Sequence, residues 1–242
     1  MFDHVTIHVS DRDASEQFFE TVLIPLGIES TYRTNSFSVW DDFMITHADA
    51  EHLVTAGLHI AFAAPSREQV DAFWQAGIDA GAKDDGPPGP RTQYRDDYYG
   101  AFLRSPDGIS VEAVHYDAVR RSGGVIDHLW IRVSDLAAST GFYRAAAEAL
   151  GLEVRRADEG RTAIAGGGAS FTLVPGEATR HLHMALSGDN GDVDRFHASL
   201  TGSGYEDHGA PGERPRYHPG YYAAYVLDPD GNNIEAVNPN RT

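Results

Sequence analysis

The chain contains no cysteine. Disulfides and thiolate metal sites are therefore excluded, and a metal would have to be held by His nitrogen and carboxylate oxygen, a donor set suited to iron, manganese, zinc, cobalt or nickel. No apolar run approaches the roughly 20 residues a helix needs to cross a bilayer. The opening MFDHVTIHVSD is acidic and alternating, unlike a basic-then-apolar signal peptide, so a cytoplasmic protein is expected. Basic residues are few: 19 Lys and Arg against 36 Asp and Glu give a net charge of −17. Such a chain repels phosphate backbones and anionic lipid, so neither nucleic acid nor a membrane is expected as a partner; a small-molecule substrate is, in a monomer or a homodimer. A Gly-rich phosphate loop, a nucleophile elbow and a catalytic triad are also missing, and Gly166-Gly167-Gly168 reads as a turn. Histidine is abundant, with 12 among 242 residues, and 41% hydrophobic residues allow a real core.

The sequence repeats itself. Phe2-Asp3-His4-Val5-Thr6-Ile7-His8-Val9-Ser10-Asp11 matches Ile126-Asp127-His128-Leu129-Trp130-Ile131-Arg132-Val133-Ser134-Asp135, and Leu58-His59 matches Leu182-His183. Tyr98-Tyr99, Pro106-Asp107-Gly108 and Glu112-Ala113-Val114 match Tyr221-Tyr222, Pro229-Asp230-Gly231 and Glu235-Ala236-Val237, one residue closer because of a deletion near 190. Domains are expected at 1–118 and 126–242, joined by a polar, Gly-rich linker at 119–125. Within each repeat the pattern runs strand, helix, strands, twice over. In the first repeat alternation predicts strands at 3–9, 57–63, 98–104 and 109–115, and two or three short strands within 30–47. Helical spacing covers 12–24 and 66–80, and a Gly/Pro-rich loop is expected from 85 to 97. The fold class is thus α+β, with four β-α-β-β-β units.

Alternation also separates the faces of the strands. Val5, Ile7 and Val9 should pack on a helix, which turns His4 the other way; the same reasoning turns out His59, Glu112, His128, His183 and Glu235. The spacing recurs, with 55 residues from His4 to His59 and from His128 to His183, then 53 and 52 to the glutamate. Two imidazoles and a carboxylate form a facial set that leaves open positions for substrate, water or oxygen, so all six are candidate metal ligands. Arg132, inward by the same alternation, could bind an anionic group or pair with a carboxylate, and the pairing is the preferred expectation. The tyrosines around residues 94–99 and 217–225 could stack on a planar substrate or serve only as strand formers.

These residues resemble the vicinal oxygen chelate superfamily, which holds glyoxalase I, bleomycin-resistance proteins, fosfomycin-resistance thiol transferases and extradiol dioxygenases. The carriers are Asp3-His4-Val5 through Val9-Ser10-Asp11, Leu58-His59-Ile60-Ala61, and Asp228-Pro229-Asp230-Gly231-Asn232-Asn233-Ile234-Glu235. The resemblance implies a tandem form of that fold, with two cupped mixed sheets, helices outside, and a divalent metal on the inner face. The fourth ligand usual in glyoxalase I is missing from Phe43-Met44-Ile45-Thr46 and Phe171-Thr172-Leu173-Val174, although His47 could intrude by a register shift. The second repeat is similar to the extradiol signature, with His218 as proton carrier and Tyr225 as hydrogen-bond donor; the first has Arg95, Phe102 and Ser105 where the second has His218, Tyr225 and Asp228. The implied activity is an extradiol-like oxygenase using Fe(II), with Mn(II), Zn(II), Ni(II) or Co(II) as alternatives, acting on a small aromatic or enolic substrate. The alternatives are a metal-dependent lyase, isomerase or thiol transferase, or a bleomycin-resistance-type sequestering protein. Two groupings of ligands stay open. The sets could form within each repeat, or across them as His4 with His183 and Glu235, and His128 with His59 and Glu112, as the dimeric thiol transferases would suggest.

Overall fold

The structure is a computed structural model that describes residues 1–117 and 123–240. Four β-α-β-β-β units follow one another as the repeat requires. Unit one comprises β1 (Phe2–Val9), α1 (Arg12–Leu23), β2 (Tyr32–Arg33), β3 (Phe37–Trp40) and β4 (Phe43–His47). Unit two comprises β5 (His59–Ala63), α2 (Arg67–Asp79), β6 (Lys83–Pro90), β7 (Tyr99–Arg104) and β8 (Ser110–His115). Unit three comprises β9 (Ile126–Val133), α3 (Leu136–Ala149), β10 (Glu153–Ala157), β11 (Thr162–Gly166) and β12 (Ala169–Pro175). Unit four comprises β13 (His183–Ser187), α4 (Asn190–Gly202), β14 (Asp207–Glu213), β15 (Tyr222–Leu227) and β16 (Asn233–Asn238).

The helices begin where the sequence supplies caps. Asp11, Ser66, Asp135 and Asp189 each accept a backbone N–H from the first turn that follows, satisfying donors that a helix start leaves unpaired. One predicted loop is a strand: β6 and its counterpart β14 occupy the Gly/Pro-rich stretches. Each is the outermost strand of its sheet and pairs on one side only, so Pro87, Pro88 and Pro90 forfeit no inner ladder bonds. The register of β6 against β7 shifts at Asp84/Gly86 and again at Gly86/Gly89.

The units pair across the repeats. One eight-stranded sheet runs β14-β15-β16-β13-β1-β4-β3-β2 and joins unit four to unit one. The other runs β10-β11-β12-β9-β5-β8-β7-β6 and joins unit three to unit two. The central contacts are antiparallel, β1 to β13 and β9 to β5. The apolar alternates of these strands, among them Val5, Ile7, Ile60, Leu129 and Met184, are fully buried and belong to one continuous core with Ile234 of β16. Within it Phe43 of β4 meets Phe62 of β5, ring centroids 5.2 Å apart, so the two sheets share their apolar side. Most of the predicted linker lies outside the described residues. At its end, the backbone N–H groups of Val125 and Ile126 donate to Asp42 at 2.7 and 3.2 Å. Burial pushes the Asp42 carboxyl up to about 6 despite those bonds.

Candidate metal centres

Strand alternation turns the polar residues of the central strands to the face opposite the core, where the six predicted ligands fall into two groups. His4, His183 and Glu235 converge in one sheet, and His59, Glu112 and His128 in the other; in each group the donor atoms lie within 4.8 Å of one another. Both groups cross the repeats. Of the two groupings left open by the sequence, the pairing of β1 with β13 and of β9 with β5 selects this one.

At the Glu235 site, the Nε2 atoms of His4 and His183 are 3.1 Å apart. Glu235 Oε2 lies 3.0 Å from His183 Nε2 and 3.7 Å from His4 Nε2. At the Glu112 site, Oε2 lies 3.0 Å from His59 Nε2 and 3.5 Å from His128 Nε2. Two ligands bound at right angles to one ion, with bonds of about 2.1 Å, lie about 3 Å apart. These separations match that spacing, and two nitrogens and one oxygen are the donors an iron-, manganese- or zinc-type ion takes.

The surrounding bonds set the tautomers. His4 Nδ1 donates to Asp3 at 2.8 Å, and His128 Nδ1 donates to Asp127 at 2.8 Å. His59 Nδ1 donates to Ser110 Oγ at 3.0 Å, and that hydroxyl donates onward to Asp85 at 2.9 Å. These bonds keep a proton on the outer nitrogen of the three rings, so Nε2 is the atom whose lone pair a cation would take, once any proton there has left. His183 differs: its Nδ1 is buried without a partner, as is the Oδ1 of Asn233. The second oxygen of each glutamate is fixed by a tyrosine, Tyr98 to Glu112 and Tyr221 to Glu235, both at 2.7 Å. Gly100 gives the Glu112 carboxylate its room, for a Cβ there would meet Oε1 at 2.6 Å.

Burial disfavours charge on Glu112, His59, His128 and His183, yet the contacts prevail at Glu112 and His128. Close contacts with His128 and His59 draw Glu112 down to about 2. Asp127 and Glu112 raise His128 to about 9. His59 and His183 are held below the usual histidine range, chiefly by burial. In the metal-free protein a proton on His128 thus stands where a cation would, and metal and proton compete for the same lone pair.

No fourth protein ligand joins either set among the described residues. Met44 stands beside Thr6 and Thr172 beside Trp130 in the flanking strands. His47 pairs with Val9 at the exposed end of β4, outside the site. Tyr225 lies next to the Glu235 site: it pairs with Glu235 across β15 and β16, and its ring is 6.4 Å from that of His183. Its hydroxyl is buried and makes no well-aligned hydrogen bond. His218 sits on the loop before β15, with Nδ1 donating to the Pro219 carbonyl at 3.0 Å, its ring 5.3 Å from Tyr221, and a buried, unpartnered Nε2. Asp228 points elsewhere. It is buried against Tyr143, which donates to it at 2.8 Å, and it caps the turn to Asn232. The expected carboxylate partner of Arg132 is not there: the guanidinium donates to the Gly57 carbonyl at 2.9 Å, and no ion pair is formed among the described residues.

A cavity of about 500 Å³ opens on the Glu112 site. Its wall includes Trp130, Tyr94, Phe102 and the side chains of Arg95, Arg104, Arg132 and Arg161. Sequence reasoning missed Asp3, Asp127, Ser110 and Gly100 as supports of the ligands. The available signal was an Asp directly before the first His in both repeats.

Comparison with known proteins supplies the family and the fold. The family model for the Glyoxalase/Bleomycin resistance protein/Dioxygenase superfamily matches residues 1–113 and again 125–236. Glyoxalase I from Zea mays is similar in fold, with TM-score 0.71 and 18% identity over 98% of this chain and 92% of that one. A candidate dioxygenase from Bacillus subtilis subsp. subtilis str. 168 gives TM-score 0.64 and 12% identity over 99% of this chain and 85% of that one. A glyoxalase/bleomycin resistance protein from Albidiferax ferrireducens T118 is 37% identical, covering 48% of this chain and 98% of that one, with TM-score 0.43. No curated protein matches the chain. No helix of the described residues is long and apolar enough to cross a membrane. With two matched segments spanning nearly all of its length, the chain belongs to the Glyoxalase/Bleomycin resistance protein/Dioxygenase superfamily.

Proposed function

We propose that the protein is a divalent-metal-dependent enzyme of the oxygenase type, using Fe(II) and acting on a small aromatic or enolic molecule that presents two adjacent oxygens. The observation that carries this reading is the three-donor set itself. Two histidines and one glutamate converge from different strands, and no fourth protein ligand fills the remaining positions among the described residues. The absence of a fourth ligand favours this reading over a glyoxalase I type of isomerase.

When bound, the ion would polarise the two substrate oxygens and lower their pKa. The rest falls to the chain. Asp3, Asp127 and the Ser110–Asp85 relay hold the imidazoles in the ligating tautomer. Tyr98 and Tyr221 leave each glutamate one oxygen for the ion. At the Glu235 site burial and the nearby Glu235 charge raise Tyr225 well above the usual phenol range. Tyr225 therefore stays protonated and can donate to a substrate oxyanion. His218 has a free Nε2 on the adjoining loop and is the group proposed to take up the substrate proton.

The test is metal analysis of protein prepared without chelators, followed by oxygen uptake with catechol under Fe(II). Two metal equivalents per chain and oxygen consumption that falls in Tyr225→Phe are expected. Failure to take up iron, manganese or zinc at either site would end the metal-enzyme reading. Metal uptake without oxygen consumption would leave a lyase or isomerase in place of an oxygenase.

A further inference from the structure

The walls around the Glu112 site differ in charge from the molecule as a whole. The chain carries a net charge of −17, yet four arginines and three carboxylates, Asp85, Glu112 and Asp127, line this cavity. Most of these charges are already committed. Arg104 pairs with Asp85 at 2.8 Å, Arg95 pairs with Asp97 at 2.9 Å, and Asp127 accepts from His128 and from Tyr116. Arg132 and Arg161 make no ion pair among the described residues, and both line the cavity.

The strand register places them. Arg132 lies on the same face of β9 as His128 and Trp130, four and two residues further along. At about 3.3 Å per residue, its Cα is about 13 Å from that of His128. Arg132 pairs with Val174, while Arg161 directly precedes Thr162, which pairs with Leu173, so both arginines sit at the same end of the sheet. Between that end and the donor set stands Trp130, its ring 6.3 Å from His59 and 5.9 Å from Tyr94, edge-on to both. Phe102 covers the other side of His59 at 5.9 Å. Along one line the cavity offers a metal-ligating floor, aromatic walls and two cations.

We infer that the Glu112 cavity is an anion-selective site for a planar molecule with a carboxylate at the end remote from the metal, held by Arg132 and Arg161, with its body against Trp130. A guanidinium matches a carboxylate in two parallel hydrogen bonds, and a flat π system matches the indole. The metal-chelating end of this ligand rests on the function proposed above; the carboxylate end does not.

The test compares 3,4-dihydroxybenzoate with its neutral isostere 3,4-dihydroxybenzamide, binding to the full-length Zn(II)-loaded protein by calorimetry and by quenching of tryptophan fluorescence, with Trp130→Phe as the control for the quenched residue. The carboxylate is expected to bind about tenfold more tightly than the amide. Arg132→Gln and Arg161→Gln should each lower that ratio several-fold, Arg132→Lys should restore part of it, and Zn(II) content should not change in any of the three. Equal affinity for the two isosteres in the wild type, or a ratio unchanged in the Arg132→Gln, Arg161→Gln double variant, would overturn the inference. A Glu112→Gln variant separates the two readings. If it loses Zn(II) but keeps the preference for the carboxylate, the anion subsite stands; if the wild type binds Zn(II) but shows no preference, the subsite alone falls.

Discussion

Around the two donor sets, corresponding positions hold Arg95 and His218, Phe102 and Tyr225, Trp130 and Thr6, Arg132 and His8, Ser110 and Asn233. The ligands are alike to within a few tenths of an ångström, and so are the Asp and Tyr residues that support them. The walls are not alike. The Glu112 site is walled by arginine and aromatic rings, and the Glu235 site by histidine and tyrosine. What differs is the part that meets a ligand, while the part that would hold an ion is the same. Two sites of one descent can therefore share a metal chemistry and differ in what they admit.

The comparison can be broken most decisively at the ligands. His4→Ala and Glu235→Ala should empty the same site, and His128→Ala and Glu112→Ala the other, each lowering the content from two metals to one. The loss of affinity should exceed about a hundredfold, since even supports of the ligands are worth ~10–100-fold. Metal content of the four single variants and of the His4→Ala, Glu235→Ala pair measures it. Loss of both metals in the pair would contradict the cross-repeat grouping.

Asp127→Asn removes the acceptor that fixes His128 and should lower metal affinity at the Glu112 site by about 10–100-fold. Competition with a chromogenic chelator reads this directly, and the Glu235 site should be unaffected.

A third expectation concerns pH in the chelator-stripped protein. His128 is raised from its unfolded value of 6.5 to about 9. Its contribution to stability is complete below pH 6.5 and is lost as pH rises through about 9. Stability of the stripped protein should fall over that window by on the order of 3 kcal/mol, a drop in Tm of roughly 10 °C. Zn(II)-loaded protein should lack this slope, because the lone pair then holds metal. A flat profile for the stripped protein would show that His128 does not carry the proton.

The smallest effect is expected from Gly100→Ala. The new Cβ would press on Glu112 Oε1 at 2.6 Å, yet Ala223 occupies the corresponding place beside Glu235. A few-fold loss of metal affinity confined to the Glu112 site is the anticipated result, measured with the same chelator. A loss as large as that of Asp127→Asn would mean the two carboxylates are seated differently.

Much of this arrangement was legible from local pattern. The repeat announced the units, alternation told which way His4, His59 and Glu112 point, and helix caps stood at the predicted starts. The grouping of ligands was not legible, because the nearly equal spacings within each repeat fit either pairing. The contacts of β1 with β13 and of β9 with β5, which no local period encodes, decide between them. Strand β6 was hidden for another reason. Its Gly and Pro residues argue for a loop, and the edge position that makes them harmless is a property of the assembled sheet. Arg132 was read toward a carboxylate because pairing is the usual fate of an inward arginine, whereas its actual partner is a backbone carbonyl.

The crossed sheets also impose an order on the protein's synthesis. His59, Glu112 and His128 belong to a sheet whose last strand ends at Pro175, so that site can be assembled while the chain is still growing. His4 and His183 stand 179 residues apart, and the sheet that joins them is finished only by β16 at Asn233–Asn238. Until β13 has emerged, β1 has β4 on one side and an open backbone edge on the other. The nascent chain must therefore carry an unpaired strand through most of its translation, with Asp3, His4 and His8 among the polar residues along that open edge.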